Sequence, residues 1–374
     1  MLTTDPPSPL EHRSLHELHL ADLEAIALLF RGTSVIDWHR LNFGGEDEAL
    51  QFIRAQEFRV EDPDDLARLE AIKNSAISYL RRNFEFPIPK PVANASLSDL
   101  LMLASSKGHR QLCACTILKV MHIIHHLEAR ELLFMLPVSD QEIFQLVEKK
   151  VYRVIGNLLA HGLPILEFVG GRKNKDSLYT KLLSKRETIA AQIYDKLRFR
   201  IVTRSVDDIL PVLNGLMRYV FPFNYVIPGE STNTLFSLER YVKNNPGLKE
   251  SLSTLQVPPP DPEGTIKTDN RFTARSYRVV HFVVDMPVRL PDEFFVRAPP
   301  AALHQGKVIF VQTEFQVIDR DTEQTNELGD ASHEAYKVRQ KLAVMRRLKL
   351  GSPFDPRPET KTGRYTRKTT GSVR

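Results

Sequence analysis

The sequence has few cysteines, few tryptophans and no long apolar run. Two cysteines, Cys113 and Cys115, and one tryptophan occur among its 374 residues. A disulfide scaffold is therefore excluded, and a reducing, cytoplasmic location is expected. The first residues are rich in proline and are acidic rather than basic, which does not resemble a secretory signal. The apolar runs, such as 154–160, are far shorter than the ~20 residues of a membrane span, so no membrane association is expected.

The overall composition is that of an ordinary globular protein. Hydrophobic residues make up 42% of the chain and charged residues 26%. The formal net charge of +5 favours anionic partners such as nucleotides. Much of this excess lies near the C-terminus, and we consider RNA or the ribosome as a partner for this basic tail, with a merely solubilising extension as the alternative. Oligomeric state is left open.

Periodicity divides the chain into four segments. We predict a disordered leader over 1–14, a helical domain over 15–138, a mixed domain over 139–350 and a basic, disordered tail over 351–374. Within the mixed domain, a capping box at 139–142 opens a helix that Gly162 closes. Short β-rich runs then alternate with helices, which predicts an α+β fold with a mixed sheet flanked by helices. The strands are expected at 165–169, 199–203, 225–227, 277–284 and 308–318, and the helices between them at 177–194, 207–219 and 322–348.

The glycine pair Gly170 and Gly171 follows a predicted strand and precedes a basic segment and a helix beginning near Ser177. Strand, loop and helix N-terminus together often bind phosphate, because free backbone N–H groups and cations meet the anion there. The spacing is not that of a Walker motif. A solvated basic turn is the alternative.

Carboxylates and an aromatic residue mark three further segments. Asp195 precedes a strand, where it could hold Mg²⁺ or simply pair with a neighbouring cation, and Arg200 could bind phosphate. Tyr277 and His281 would share one face of a strand, suited either to a nucleotide base or to ordinary packing. Glu314 and Gln316 share one face of the last strand, and polar side chains inside an apolar run need partners or exposure.

In this order, the segments resemble the synthetase domain of the RelA/SpoT family, which makes the alarmones pppGpp and ppGpp. The resemblance covers roughly residues 141–340 and aligns without a gap from Glu314 to Lys337. It rests on the following residues: Gly171, Arg172, Ser177, Lys181, Tyr194, Asp195, Arg200, Tyr277, His281, Glu314, Gln316, Gly329, Ala331, His333, Tyr336 and Lys337.

The resemblance implies Mg²⁺-dependent transfer of pyrophosphate from ATP to the 3′-hydroxyl of a purine nucleotide, GDP or GTP. It implies that Asp195 and Glu314 hold Mg²⁺ and act in catalysis, with Glu314 also able to accept a proton. Tyr277 would stack on the acceptor base. The remaining nucleotide-binding residues would be Arg172, Lys175, Ser177, Lys181, Arg200, His281, Gln316 and His333, with Lys173 as an alternative to Lys175.

Several positions depart from the family pattern: Arg198, Arg275, Ser276, Ile318 and Asp319. Glycine or another small residue leaves room that arginine does not, and a missing arginine removes charge from a phosphate site. The alternative is therefore a catalytically degenerate member that acts as a nucleotide sensor or as a protein or RNA interaction module.

The family's alarmone hydrolase half needs a His-Asp motif, and no such dipeptide occurs in the chain. The only histidine-rich segment contains His122 and His126, one helical turn apart. A shared metal or helix packing could explain this pair, and the apolar surroundings favour packing.

Overall fold

The computed structural model describes residues 20–32, 36–184, 197–244, 274 and 276–348. Its first part is helical: within 20–32 and 36–164, the structure contains helices and connecting loops and no strand. These helices are α1 (Leu20–Arg31), α2 (Glu46–Ala55), α3 (Pro63–Phe84), α4 (Lys90–Ala93), α5 (Leu97–Ala104), α6 (His109–Met135) and α7 (Asp140–Ala160).

Helix ends follow local sequence signals. The Asp62 side chain accepts a hydrogen bond from the Asp64 N–H at the start of α3, with Pro63 at the first helical position. Ser139 and Glu142 form the predicted capping box of α7. Gly162, with φ of +86°, ends that helix in a conformation that glycine adopts without strain.

The second part contains a five-stranded mixed sheet in the order β1-β2-β5-β4-β3. Strands β2 and β5 are parallel, and every other pairing is antiparallel. The strands are β1 (Ile165–Arg172), β2 (Leu197–Thr203), β3 (Thr232–Asn233), β4 (Val280–Arg289) and β5 (Val308–Asp319). The accompanying helices are α8 (Lys175–Ser184), α9 (Ile209–Tyr219), α10 (Leu238–Asn244), α11 (Pro300–Leu303), α12 (Arg320–Asn326) and α13 (His333–Arg347). The predicted α+β class is confirmed.

Three expected elements differ from the prediction. The segment 225–227 contains the end of a 3₁₀ turn and one isolated bridge from Val226 to Val284, not a strand. The expected helix 322–348 is two helices, because Gly329 lies in a 3₁₀ turn and Ser332 caps a new helix by accepting from the Ala335 N–H. Strand β4 begins at Val280 rather than at Tyr277.

Two hydrophobic cores share α6 along its length. One contains Trp38, residues of α2 to α5 and the first half of α6 up to Met121. The other joins α7, α9 and one face of the sheet, and it also includes Leu23 and Phe30 of α1. Helix α1 therefore packs with the sheet although it precedes the other helices, and the domain boundary at 138 stays a prediction. The leader and the tail lie outside the described residues.

Helix α6 is long and apolar enough to cross a membrane by length and composition alone. Its buried residues contribute to both cores, however, as in the central helix of a globular protein. One such helix is weak evidence for a membrane span.

Two histidines of α6, His125 and His126, pack against the sheet. His126 Nε2 lies 2.8 Å from Asp285 Oδ2 on β4, and its ring stacks on Phe310 at 4.2 Å between centroids. Burial lowers the pKa values of His122 and His125 to about 3, with smaller contributions from neighbouring charges. No group of three or more metal-ligating side chains occurs in the described part of the chain, and the observed contacts fit the packing alternative.

Candidate nucleotide site on the polar face of the sheet

The three central strands carry polar side chains on one face and aromatic side chains on the other. Arg198 on β2 is in register with Glu314 on β5, and Gln316 on β5 is in register with His281 on β4. Residues in register, and residues two apart on a strand, project to the same face. On the opposite face, the stacked rings of Phe199, Phe315 and Phe282 lie 5.5 and 5.6 Å apart and belong to the core. The aromatic face thus fixes the strands that present the polar face.

Glu314 is the centre of the polar face. It is 5% exposed, and its Oε1 accepts a hydrogen bond of 2.6 Å from Gln316 Nε2. The same oxygen lies 3.2 Å from His281 Nε2. Burial alone would raise the pKa of this carboxyl, but the contact with His281 and the charges of Lys173 and Arg198 outweigh it and hold the pKa well below its ordinary value. Glu314 is therefore an ionised carboxylate surrounded by cationic side chains.

Arg200, two residues after Arg198 on the same face, is engaged by two carboxylates. It forms ion pairs of 3.2 Å with Glu323 and 3.8 Å with Glu327, at the end of α12. Both distances are longer than those of good charge-assisted hydrogen bonds. A phosphate could bind Arg200 only by competing with these two glutamates.

Tyr277 lies beside this face but before strand β4, which corrects its expected position on the strand. The Asn326 amide holds the next residue: Nδ2 donates to the Arg278 carbonyl at 2.7 Å, and Oδ1 accepts from the Arg278 N–H at 3.1 Å. On the other side, the Thr234 hydroxyl accepts from the Val279 N–H at 2.9 Å. Burial raises the pKa of the Tyr277 phenol, while Arg200 lowers it and Glu314 raises it, so both charges lie near the ring.

A second set of cations borders Glu314. The charges of Lys173 and Arg198 act on Glu314 and also on His333 at the start of α13. Partial burial lowers the pKa of His333, and Lys337, Arg198 and Lys173 lower it further, with Glu327 opposing them. Of the two lysines left open by the sequence, the structure therefore places Lys173 near Glu314.

Arg172 is not brought to this face. It is in register with Leu197, on the aromatic side of the sheet, and forms a bidentate ion pair with Glu148 of α7, with one contact of 2.8 Å between Arg172 Nε and Glu148 Oε1. The physical reason is the strand alternation: a residue next to Gly171 must project opposite to it.

The remaining predicted residues of this region lie on α8. Lys175 is exposed at its first position. The Ser177 N–H donates to Asn174 Oδ1 at 2.8 Å, and Lys181 lies further along the helix. Helix α8 contacts α13, since Gln340 Nε2 lies 3.3 Å from Ser184 Oγ. The roles of these three residues stay predictions.

Asp195, Tyr194 and Arg275 lie outside the described residues, so the expected proximity of Asp195 and Glu314 stays a prediction. Glu314 by itself fits a hard cation: it is ionised, and Mg²⁺ is commonly held by one or two carboxylates together with substrate phosphates.

Three residues of the site were not predicted from the sequence: Glu323, Glu327 and Asn326. The two glutamates are four residues apart, a spacing that places them on one side of a helix. That spacing could have indicated the two glutamates from the sequence. Nothing in the sequence indicates the role of Asn326, because both of its hydrogen bonds join it to the backbone of Arg278, 48 residues away.

Comparison with solved structures gives weak similarity to alarmone synthetases. Small alarmone synthetase 2 from Bacillus subtilis is 16% identical, with 59% of this chain and 94% of that chain covered and a TM-score of 0.30. Small alarmone synthetase 1 from the same organism, bound to its product pppGpp, is 15% identical, with 61% and 90% covered and a TM-score of 0.27. A GTP pyrophosphokinase family protein from Streptococcus pneumoniae is 15% identical, with 55% and 84% covered and a TM-score of 0.28.

No protein-family model and no curated protein matches the sequence. Structural similarity at these TM-scores establishes neither family membership nor activity, which have to be argued from the site residues.

Proposed function

We propose that this chain is a RelA/SpoT-like nucleotide pyrophosphokinase that transfers pyrophosphate from ATP to the 3′-hydroxyl of a purine nucleotide, GDP or GTP. The observation that carries this proposal is the ionised Glu314 on the polar face of the sheet, bordered by cations and with Tyr277 beside it. Such chemistry requires little covalent help from the protein, which mainly positions the reactants and neutralises charge.

In the proposed reaction, the acceptor hydroxyl oxygen forms a bond to the β-phosphorus of ATP. The bond from that phosphorus to the oxygen bridging the α-phosphorus breaks, AMP leaves, and the proton of the acceptor hydroxyl is released to water. Tyr277 offers a ring on which the acceptor base stacks, and the cations beside Glu314 bind the phosphates.

Glu314 and Asp195 would hold Mg²⁺, which when bound neutralises charge on the phosphate chain. The lowered pKa of Glu314 favours the role of metal ligand over that of proton acceptor, because a general base works best with a pKa near the working pH. Gln316 fixes the orientation of this carboxylate through its 2.6 Å hydrogen bond.

The second candidate function is a nucleotide sensor without turnover. The ion pairs of Arg200 favour it, since they occupy an arginine that the family resemblance assigns to phosphate. Sensor and enzyme share the binding surface and differ only in turnover.

The test combines turnover and binding on the wild type, Tyr277→Ala and Glu314→Gln. Labelled ATP with Mg²⁺ and either GDP or GTP reports pyrophosphate transfer, and calorimetry reports acceptor affinity. For an enzyme, Glu314→Gln should abolish most turnover while retaining acceptor binding, and Tyr277→Ala should weaken acceptor binding about tenfold or more, since stacking contributes about 1–3 kcal/mol per base.

Matched controls are available on exposed positions: Tyr179→Ala on α8 and Glu334→Gln on α13. Both should behave as wild type. Nucleotide binding without turnover in any form would support the sensor, and absence of both binding and turnover in the wild type would refute both candidates.

A further inference from the structure

Arg198 places a cation on β2 at a position where the family resemblance predicts a small residue. Arg198 is half-buried on the polar face of the sheet, in register with Gly171 on one side and Glu314 on the other. Within the described part of the chain, its guanidinium makes no hydrogen bond and no ion pair, although its charge acts on Glu314. A guanidinium has five N–H donors, so a half-buried one without an acceptor has unused capacity for an anion.

Other arginines of the protein are already paired. Arg172 is bound by Glu148 on the aromatic side of the sheet, and Arg200 by Glu323 and Glu327. Elsewhere in the protein, Arg218 pairs with Asp22 and Arg289 with Asp65. Arg198 differs from these arginines because no carboxylate among the described residues forms an ion pair with it.

Space is available beside Arg198. A Cβ placed on Gly171, its neighbour in register on β1, would meet no atom within 4 Å outside the adjoining residues. The charges of Lys173, two residues further along the chain, and of Arg198 both act on Glu314 and on His333. These three basic side chains therefore lie near one another and close to Glu314.

We propose that Arg198, with Lys173 and His333, binds the phosphate chain of the nucleoside triphosphate, in place of Arg172 and Arg200. This inference rests on the proposed function for the identity of the nucleotide. On this proposal, Arg198 adds a positive charge that binds phosphate and does not merely block the site. The fork of the guanidinium suits two oxygens of one phosphate group, which a lysine ammonium cannot reproduce.

The test measures binding of Mg²⁺-ATP, adenosine and inorganic tripolyphosphate to the full chain by calorimetry at constant ionic strength. In Arg198→Ala, ATP and tripolyphosphate affinity should each fall about tenfold or more, since hydrogen bonds to charged groups contribute roughly 1.5–3 kcal/mol. Adenosine affinity should stay as in wild type. Arg198→Lys should recover only part of the loss, and Arg240→Ala, at an exposed position on α10, is the control.

Each outcome decides the inference. Unchanged ATP affinity in Arg198→Ala, or an equal loss for ATP and adenosine, would overturn it while leaving the proposed function intact. Tripolyphosphate binding that depends on Arg198, in a protein that binds no nucleotide, would support the phosphate site and refute the proposed function. A wild type that binds neither nucleotide nor tripolyphosphate would overturn both. Thermal unfolding shows whether Arg198→Ala and Arg198→Lys are folded. If only one of them is folded, its affinities are compared with those of the wild type.

Discussion

Single residues on β1 show how closely the two faces of the sheet are specified. Gly170 lies on the aromatic face, where an added Cβ would come within 2.8 Å of both Phe199 Cε1 and Tyr152 Oη. Its N–H also donates to the Tyr152 hydroxyl at 3.0 Å. Gly171, one residue on, faces open space. The two glycines look alike in the sequence, but one is needed for packing and the other leaves room beside Arg198.

We therefore expect Gly170→Ala and Gly171→Ala to differ in stability. Gly170→Ala forces Phe199 or Tyr152 to move, and overpacking of this kind typically costs about 1–3 kcal/mol. Gly171→Ala meets no atom, so its free energy of unfolding should stay within about 0.5 kcal/mol of wild type. Urea denaturation of both variants makes the comparison, and equal stabilities would contradict the packing role assigned to Gly170.

At the scale of elements, the sequence predicted the long strand β5 and the capped helix α7 well. In both cases the signal is local: β-branched and aromatic residues at 308–318, and a capping box with a closing glycine around α7. The start of β4 was wrong for a nonlocal reason. The backbone at Arg278 is satisfied by the Asn326 side chain of a distant helix, so no strand partner is needed there.

Helix α12 therefore carries a clamp on the segment that positions Tyr277. Asn326 is 2% exposed, and its replacement by alanine would leave the Arg278 N–H and carbonyl without these partners. We expect Asn326→Ala to lose about 1–3 kcal/mol of stability and to weaken acceptor binding. Hydrogen exchange should show faster exchange at Arg278. Thr325→Ala, which removes a bond within α12, is the control, and unchanged exchange at Arg278 in Asn326→Ala would refute the clamp.

At the scale of the whole molecule, strand β4 joins the helical part to the candidate site. Arg289 at its end pairs with Asp65 of α3 at 2.6 Å, Asp285 contacts His126 of α6, and His281 contacts Glu314. These three residues alternate with apolar ones, so they share the polar face. These connections could not be predicted from the sequence, because each one joins residues more than 30 positions apart and depends on which elements become neighbours.

The junction between α6 and the sheet should make stability depend on pH. His122 and His125 have pKa values lowered from 6.5 to about 3 in the folded protein, mainly by burial. Below pH 6.5 the unfolded chain therefore binds more protons at these histidines than the folded protein does. The stability that the two neutral histidines contribute is complete above pH 6.5 and is lost as the pH falls towards 3. Each histidine alone can lower the free energy of unfolding by up to about 1.4 kcal/mol per pH unit in this range.

Replacing one histidine should reduce this dependence. The ring of His125 packs between Phe58 and Phe310, and neither of its nitrogens has a hydrogen-bond partner among the described residues. In His125→Phe, the loss of stability between pH 7 and pH 4.5 should be smaller than in wild type by about 2–2.5 kcal/mol, measured by urea denaturation at both values. Phe282→Leu removes a ring on the opposite face of the sheet from the contact between Asp285 and His126, so its cost should be the same at both pH values. An equal pH dependence in wild type and His125→Phe would show that His125 is not held neutral by burial, because a histidine that titrates alike in the folded and unfolded chains contributes nothing to the slope.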